Sequence, residues 1–212
     1  MKLLIVTATA GELLPLPTTR KEHGWEIDTL VTGVGTIATT YALTKKLQST
    51  QYDLVLQVGV GGSFDKNIPL GDVVFITSEQ YGDTGAEDHD KFIDIFEMGL
   101  IEKDTAPHTG GRLLTPLTDI HNKIDLPQVA GLTVNTVSGN VHTILRREEL
   151  YGCQVESMEG AAFHYVCLQE GVCFAQVRSI SNYVTPRDKS QWRMKDAIIN
   201  LNKWLIDFIN IL

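Results

Sequence analysis

Short β-branched apolar runs recur along most of this chain, each ending in glycine or small polar residues and most leading into a segment of helical period. A chain built that way has few options. Strands that alternate with helices pair side by side through crossover connections, and their apolar runs must be covered on both faces. Residues 2–7 and 26–32 read as strands, and Gly33-Val34-Gly35 then turns the chain into a helix over 37–48 carrying apolar Ile37, Tyr41, Leu43 and Leu47. Residues 53–60 form a continuous apolar strand with Gly59, Gly61 and Gly62 at its end, and 72–78 is another β-branched run. Thr115-Pro116 reads as a helix start, with proline where its missing N–H is harmless. Strands follow at 132–138 and 172–181, and helices at 141–150, 158–169 and 192–212. In the last helix Met194, Ile198, Leu201, Leu205, Phe208 and Ile209 share one stripe. Residues 80–111 are acidic, glycine-rich and carry no clear period.

The expected fold class is therefore α/β: three αβα layers around a central, mostly parallel mixed sheet. The 212 residues show no repeat, low-complexity tract or dividing linker, so one domain over 1–212 is expected. In such sheets ligands bind beyond the C-terminal strand ends. That rule selects residues near 8–12, 33–35, 59–63, 138–142 and 181–188.

Composition removes several function classes. A net charge of −8 is unsuited to a phosphate-backbone binder, so no nucleic-acid partner is expected. No apolar run is long enough for a spanning helix and the N-terminus is not a signal peptide, so no membrane partner and a cytoplasmic location are expected. Cys153, Cys167 and Cys173 lack paired spacing, and Cys167 and Cys173 read as small buried hydrophobes. The histidines show no metal-ligand spacing, so neither a metal nor an organic cofactor is expected. Gly33-Val34-Gly35-Thr36-Ile37-Ala38 fits a dinucleotide-binding pattern, with Asp53 about twenty residues on. The position argues against that reading. Asp53 precedes its strand and so lies at the wrong sheet edge, and Gly33 and Gly35 read better as a turn that lets another group approach closely.

Four strand or helix ends hold chemically compatible groups. They are Glu12 after the first strand, the glycine cluster Gln57-Val58-Gly59-Val60-Gly61-Gly62, the segment Val155-Glu156-Ser157-Met158-Glu159-Gly160-Ala161-Ala162, and Arg178-Ser179-Ile180-Ser181-Asn182. Singly, each has an ordinary explanation: an acid near a helix start complements the dipole, and asparagine after a strand forms turns. Together they resemble the nucleoside phosphorylase and nucleosidase superfamily, and within it the futalosine hydrolases. The resemblance runs from the first strand to the last helix and is weakest over 80–111.

That resemblance implies a nucleoside phosphorylase-like fold and scission of a purine–ribose bond. It implies that Glu159 accepts from the ribose hydroxyls, that Met158 packs on the sugar, and that Asn182 engages the base at N7. Gly61 of the glycine cluster would line the substrate. Ser138-Gly139-Asn140-Val141-His142 matches the segment that covers the purine, so Val141 and His142 become substrate-binding candidates. Phosphorylases of the superfamily carry arginine before the glycine cluster, where this chain has Gln57. Hydrolytic members place a glutamate after the first strand, where Glu12 stands, to hold and deprotonate water. Hydrolysis is thus favoured, while Arg20 keeps phosphorolysis as an alternative.

Asparagine at 182, where adenine-directed nucleosidases carry aspartate, can donate to a 6-oxo group and accept from N7–H. That points to a hypoxanthine nucleoside, of which futalosine is the expected one, and to Arg187 as a cation for its 5′ benzoate. The alternatives are a methylthioadenosine/S-adenosylhomocysteine nucleosidase, a phosphate-dependent phosphorylase and a non-catalytic nucleoside-binding module. Relatives imply a homodimer or larger homo-oligomer.

Overall fold

The computed structural model describes residues 1–14, 19–22 and 24–212, with no side chains described over 15–23. The side chains of Arg20 and His23 therefore lie outside the described residues. The strands are β1 (Lys2–Thr7), β2 (Thr19–Glu22), β3 (Trp25–Val31), β4 (Leu54–Ser63), β5 (Val73–Tyr81), β6 (Gly85–Asp88), β7 (Lys91–Asp94), β8 (Leu113–Leu114), β9 (Gln128–Thr133), β10 (Val155–Ser157) and β11 (Phe174–Tyr183). The α-helices are α1 (Thr36–Ser49), α2 (Val141–Tyr151), α3 (Gly160–Gln169) and α4 (Met194–Ile211).

The main sheet runs β10-β9-β5-β11-β4-β1-β3-β2, with β8 pairing β5. It is parallel through β3, β1, β4 and β11, and antiparallel where β11 meets β5. β10 pairs in parallel with β9 and antiparallel with β4, so this half of the sheet closes on itself. Successive strand residues feed opposite layers. Leu3 and Ile5 join Leu54, Leu56 and Val58 under Leu201, Leu205, Phe208 and Ile209 of α4. Leu4, Val6 and Val55 pack instead against Leu43 and Leu47 of α1 and Phe163, Val166 and Cys167 of α3. The result is the α/β arrangement with helices on both faces.

Several boundaries differ from the sequence expectation. No α-helix starts at Thr115-Pro116: the Thr115 N–H bonds the Thr77 carbonyl, and only a 3-10 turn forms at Asp119–Lys123, its start capped by His121. The strand expected over 132–138 is β9, which ends at Thr133. Beyond it, Asp83 captures the N–H groups of Asn135 and Thr136 and draws the chain into a loop. β4 runs on through Gly61 and Gly62 to Ser63, three residues past the expected end at residue 60. α3 begins at Gly160, after the short strand β10 and Glu159. Ile37 and Tyr41 of α1 point outward, and Thr39, Leu43 and Leu47 form its buried face. Within 80–111 the chain completes β5, forms the β6–β7 hairpin and continues in turns.

Candidate active site

Glu12 ends a single 3-10 turn that follows β1, and it is buried. Its Oε2 accepts from Thr7 Oγ1 at 2.9 Å, the Thr9 N–H at 2.9 Å and Thr9 Oγ1 at 3.2 Å, and its Oε1 from the Val60 N–H at 3.2 Å. Asn202 of α4 donates to the Glu12 backbone carbonyl at 2.9 Å. The carboxylate is therefore fixed from β1, from β4 and from the helix beneath. Beside it, β4 has no side chain at Gly59: a Cβ there would collide with the Arg178 guanidinium and lie 2.9 Å from Glu12 Oε1. Glu12 and Arg178 thus both border the space over Gly59.

Arg178 is the element that sequence reading left without a role. It stands mid-strand in β11, is almost fully buried, and donates from Nη2 to Gln57 Oε1 at 3.1 Å. The same Nη2 lies 3.7 Å from Glu159 Oε2. A buried arginine inside an apolar strand is itself a signal, because burial of a lone charge is costly enough to require partners. Gln57, expected only as the absence of an arginine, is one of those partners.

Glu159 occupies the N-cap position of α3 and accepts from the Gly35 N–H at 3.0 Å. The Gly33-Val34-Gly35 turn is thus tied to Glu159: both glycines have φ near 90° (90° and 91°), which disfavours side chains, and Gly35 supplies an N–H to that carboxylate. Met158 beside it is half-buried. Asn182 follows a β-bulge at the end of β11 and pairs with Gly62 of β4. Its Oδ1 accepts from Ser181 Oγ at 2.8 Å and its Nδ2 donates to the Tyr183 carbonyl at 3.0 Å. Gly61 is used for packing, since a Cβ there would press on Val155 and the Glu156 carbonyl.

The peripheral candidates stand apart. Val141 and His142 are exposed in the first turn of α2, which Asn140 caps by accepting from the Thr143 N–H at 2.9 Å. His142 lines a groove shared with Lys91, Phe92 and Arg146 on the β6–β7 side. The Arg187 guanidinium lies 5.2 Å from the Trp192 ring centroid, while Asp188 is engaged with Ser190 and Gln191. The Arg187 N–H reaches the Gly139 carbonyl at 3.4 Å, so the loops near 139 and 187 do meet.

Burial pushes the Cys153 thiol up to about 12 and the Cys167 thiol well above its usual range, which leaves neither suited to nucleophilic work.

The profile of the phosphorylase superfamily matches residues 2–212. This chain belongs to that superfamily. A futalosine hydrolase of Streptomyces coelicolor is 30% identical over 95% of this chain and 92% of its own length. A 5′-methylthioadenosine/S-adenosylhomocysteine nucleosidase of Bacillus subtilis is 27% identical over 78% of this chain and 71% of its own. Among superfamily structures, a futalosine hydrolase mutant of Helicobacter pylori superposes with a TM-score of 0.79, covering 100% of this chain and 99% of that one at 18% identity. That likeness fixes the fold as the nucleoside phosphorylase-like α/β architecture.

Proposed function

We propose that this chain hydrolyses the N-ribosidic bond of a 6-oxopurine nucleoside. Futalosine is the substrate favoured, giving hypoxanthine and dehypoxanthinyl futalosine in menaquinone biosynthesis. The observation that carries the reading is the placement of two buried carboxylates around Arg178: Glu159 pairs with its guanidinium, and Glu12 borders the same space over Gly59. A binding module has no need of Glu12. Scission of this bond passes through an oxocarbenium-like sugar, which calls for a positioned nucleophile and a stabilised leaving group. In this reading Glu159 and Met158 hold the ribose, Glu12 orients and deprotonates the attacking water, and Asn182 hydrogen-bonds the departing base.

Water is favoured over phosphate because the buried carboxylate of Glu12 stands near the guanidinium that an anion would need, and because Gln57 brings no charge of its own. The similarity to futalosine hydrolases supports the hypoxanthine nucleoside, as does the amide at 182. The likeness to a methylthioadenosine/S-adenosylhomocysteine nucleosidase supports an adenine nucleoside as the second reading. Arg187, with its backbone against Gly139, is assigned to the 5′ carboxylate, and Val141 and His142 to the wall over the base.

A homo-oligomer fits the exposed apolar residues Val34, Ile37 and Tyr41 on and beside α1. Among the described residues no helix is long and apolar enough to cross a membrane. A cytoplasmic enzyme is the corresponding proposal.

The deciding experiment incubates the protein with futalosine, inosine and methylthioadenosine in phosphate-free buffer and follows free base by chromatography. Hypoxanthine from futalosine is the expected product. Release that requires added phosphate, or adenine as the preferred product, would replace the reading with phosphorolysis or the adenine-directed reaction. Binding without release of base would leave a binding module.

A further inference from the structure

Behind Glu159 lies a second layer of polar groups that the reaction does not touch. Glu79 of β5 is 1% exposed, and its carboxyl fills the space left by the missing side chain of Gly160, the first residue of α3. Oε2 accepts from Thr133 Oγ1 at 2.9 Å, and Thr133 Oγ1 accepts in turn from the Ala161 N–H at 2.7 Å. Oε1 lies 2.9 Å from Gln176 Nε2. One turn along α3, His164 is fully buried, with Nδ1 at 3.1 Å from the Leu113 carbonyl. A carbonyl only accepts, so Nδ1 carries the proton. Burial holds His164 down to about 3, so the ring is neutral and Nε2 must accept.

With the Gln176 amide drawn this way, two buried acceptors are left without donors among the described residues: His164 Nε2 and Gln176 Oε1. Both belong to side chains that face one another. Exchanging the amide oxygen and nitrogen of Gln176, which are hard to tell apart by shape, repairs both at once provided that Glu79 donates. Gln176 Nε2 then donates to His164 Nε2, and Gln176 Oε1 accepts from a carboxylic acid O–H. The alternative that leaves the amide unexchanged needs a charged His164 donating to Gln176 Oε1 and an ionised Glu79, which places two further charges in an interior closed to water.

We propose that Glu79 works as a neutral carboxylic acid and is a positioning residue of the active site. It is the head of a Glu79–Gln176–His164–Leu113 hydrogen-bond chain that fixes the start of α3, and Glu159 with it, without placing another negative charge beside Arg178.

The surrounding charges agree. Glu79 is faced by Arg178 from β11, by Glu159 from the head of α3, by neutral His164 from α3 and by the Cys153 thiol ahead of β10. Desolvation is the largest influence on it and raises it to about 7, against the hydrogen bonds from Gln176 and Thr133 and the charge of Arg178. An ionised Glu79 would draw on the cation that Glu159 already pairs with.

The inference deepens the hydrolase reading, and two of its three tests need no substrate. In D₂O, infrared spectra of the wild type should show a carboxylic-acid C=O band that persists at about pH 6, where ordinary glutamates have ionised. The band should fade above about pH 8 and be missing from Glu79→Gln. Its absence from the wild type at pH 6 would overturn the proposal, whether or not the variant folds. A raised acid stabilises the fold fully below its unfolded value, and that contribution is lost as pH rises through the folded value. The melting temperature of the wild type should therefore fall relative to Glu79→Gln between about pH 5 and pH 8, and parallel curves would count against it. Finally, kcat/KM on the nucleoside that proves active should drop severalfold on the alkaline side in the wild type and stay level in Glu79→Gln. A purely structural Glu79 would lower both profiles by one constant factor.

Discussion

Arg178 Nη2 stands 3.7 Å from Glu159 Oε2, with both side chains shielded from solvent, so each is the other's principal countercharge in the interior. Removing one partner of such a pair leaves a buried charge uncompensated, at a cost of about 3–5 kcal/mol. Arg178→Met should destabilise the fold by that order in urea unfolding. The double variant Arg178→Met/Glu159→Gln should recover part of the loss. If the two losses simply add, the pair is not coupled.

Glu12→Gln keeps the side chain's shape and removes its capacity to take a proton. Turnover should fall by about 10²–10⁴-fold, the range of a general base, and stability to unfolding should fall by about 1–3 kcal/mol as well, because the Gln NH2 cannot accept from the Val60 N–H. Retention of full activity would remove Glu12 from the chemistry.

For the base, Asn182→Asp exchanges an amide donor for a carboxylate. Release of hypoxanthine should drop by at least about tenfold, with adenine release gained, because a buried polar mismatch discriminates strongly. Competition between inosine and methylthioadenosine reads the ratio directly. An unchanged ratio would mean that Asn182 does not contact the base.

His164 gives an acid-side test that is separate from activity. Its folded value is depressed to about 3 by burial, so the stability it contributes is present above the ordinary histidine range and lost as pH falls from about 6.5 towards 3. The slope is about 1.4 kcal/mol per pH unit. Wild type should lose stability over that interval faster than His164→Gln in urea titrations at pH 7 and pH 5, and equal slopes would refute the assignment.

What was legible in the sequence is what local pattern controls. The apolar runs of β1, β4 and β11 and the amphipathic stripe of α4 were readable because each is set by its own periodicity. Glu12, Glu159 and Asn182 were readable because they lie where strands and helices end. The rest depends on partners distant in the chain. Gly61 and Gly62 look like a loop until Val155 and Val184 are seen pressing on them, and only then does β4 extend to Ser63. Glu79 directly follows an ordinary β-branched run, and nothing local marks it as lying under Gly160. Thr115-Pro116 carried a valid helix-start signal, which a single backbone bond to Thr77 overrode.

The place of β11 has a consequence for how the molecule is made. It is the last strand in the chain, yet it lies between β4 and β5, bonded to β4 along nearly its whole length and to β5 over Gln176–Ser179. A ribosome must deliver about 170 residues before the gap can close, and until then the facing edges of β4 and β5 present unpaired backbone and apolar side chains. Such late, non-local insertion is slow relative to local structure formation. Arg178 and Asn182 both ride in on that strand, so the sheet and the proposed site are completed in the same event.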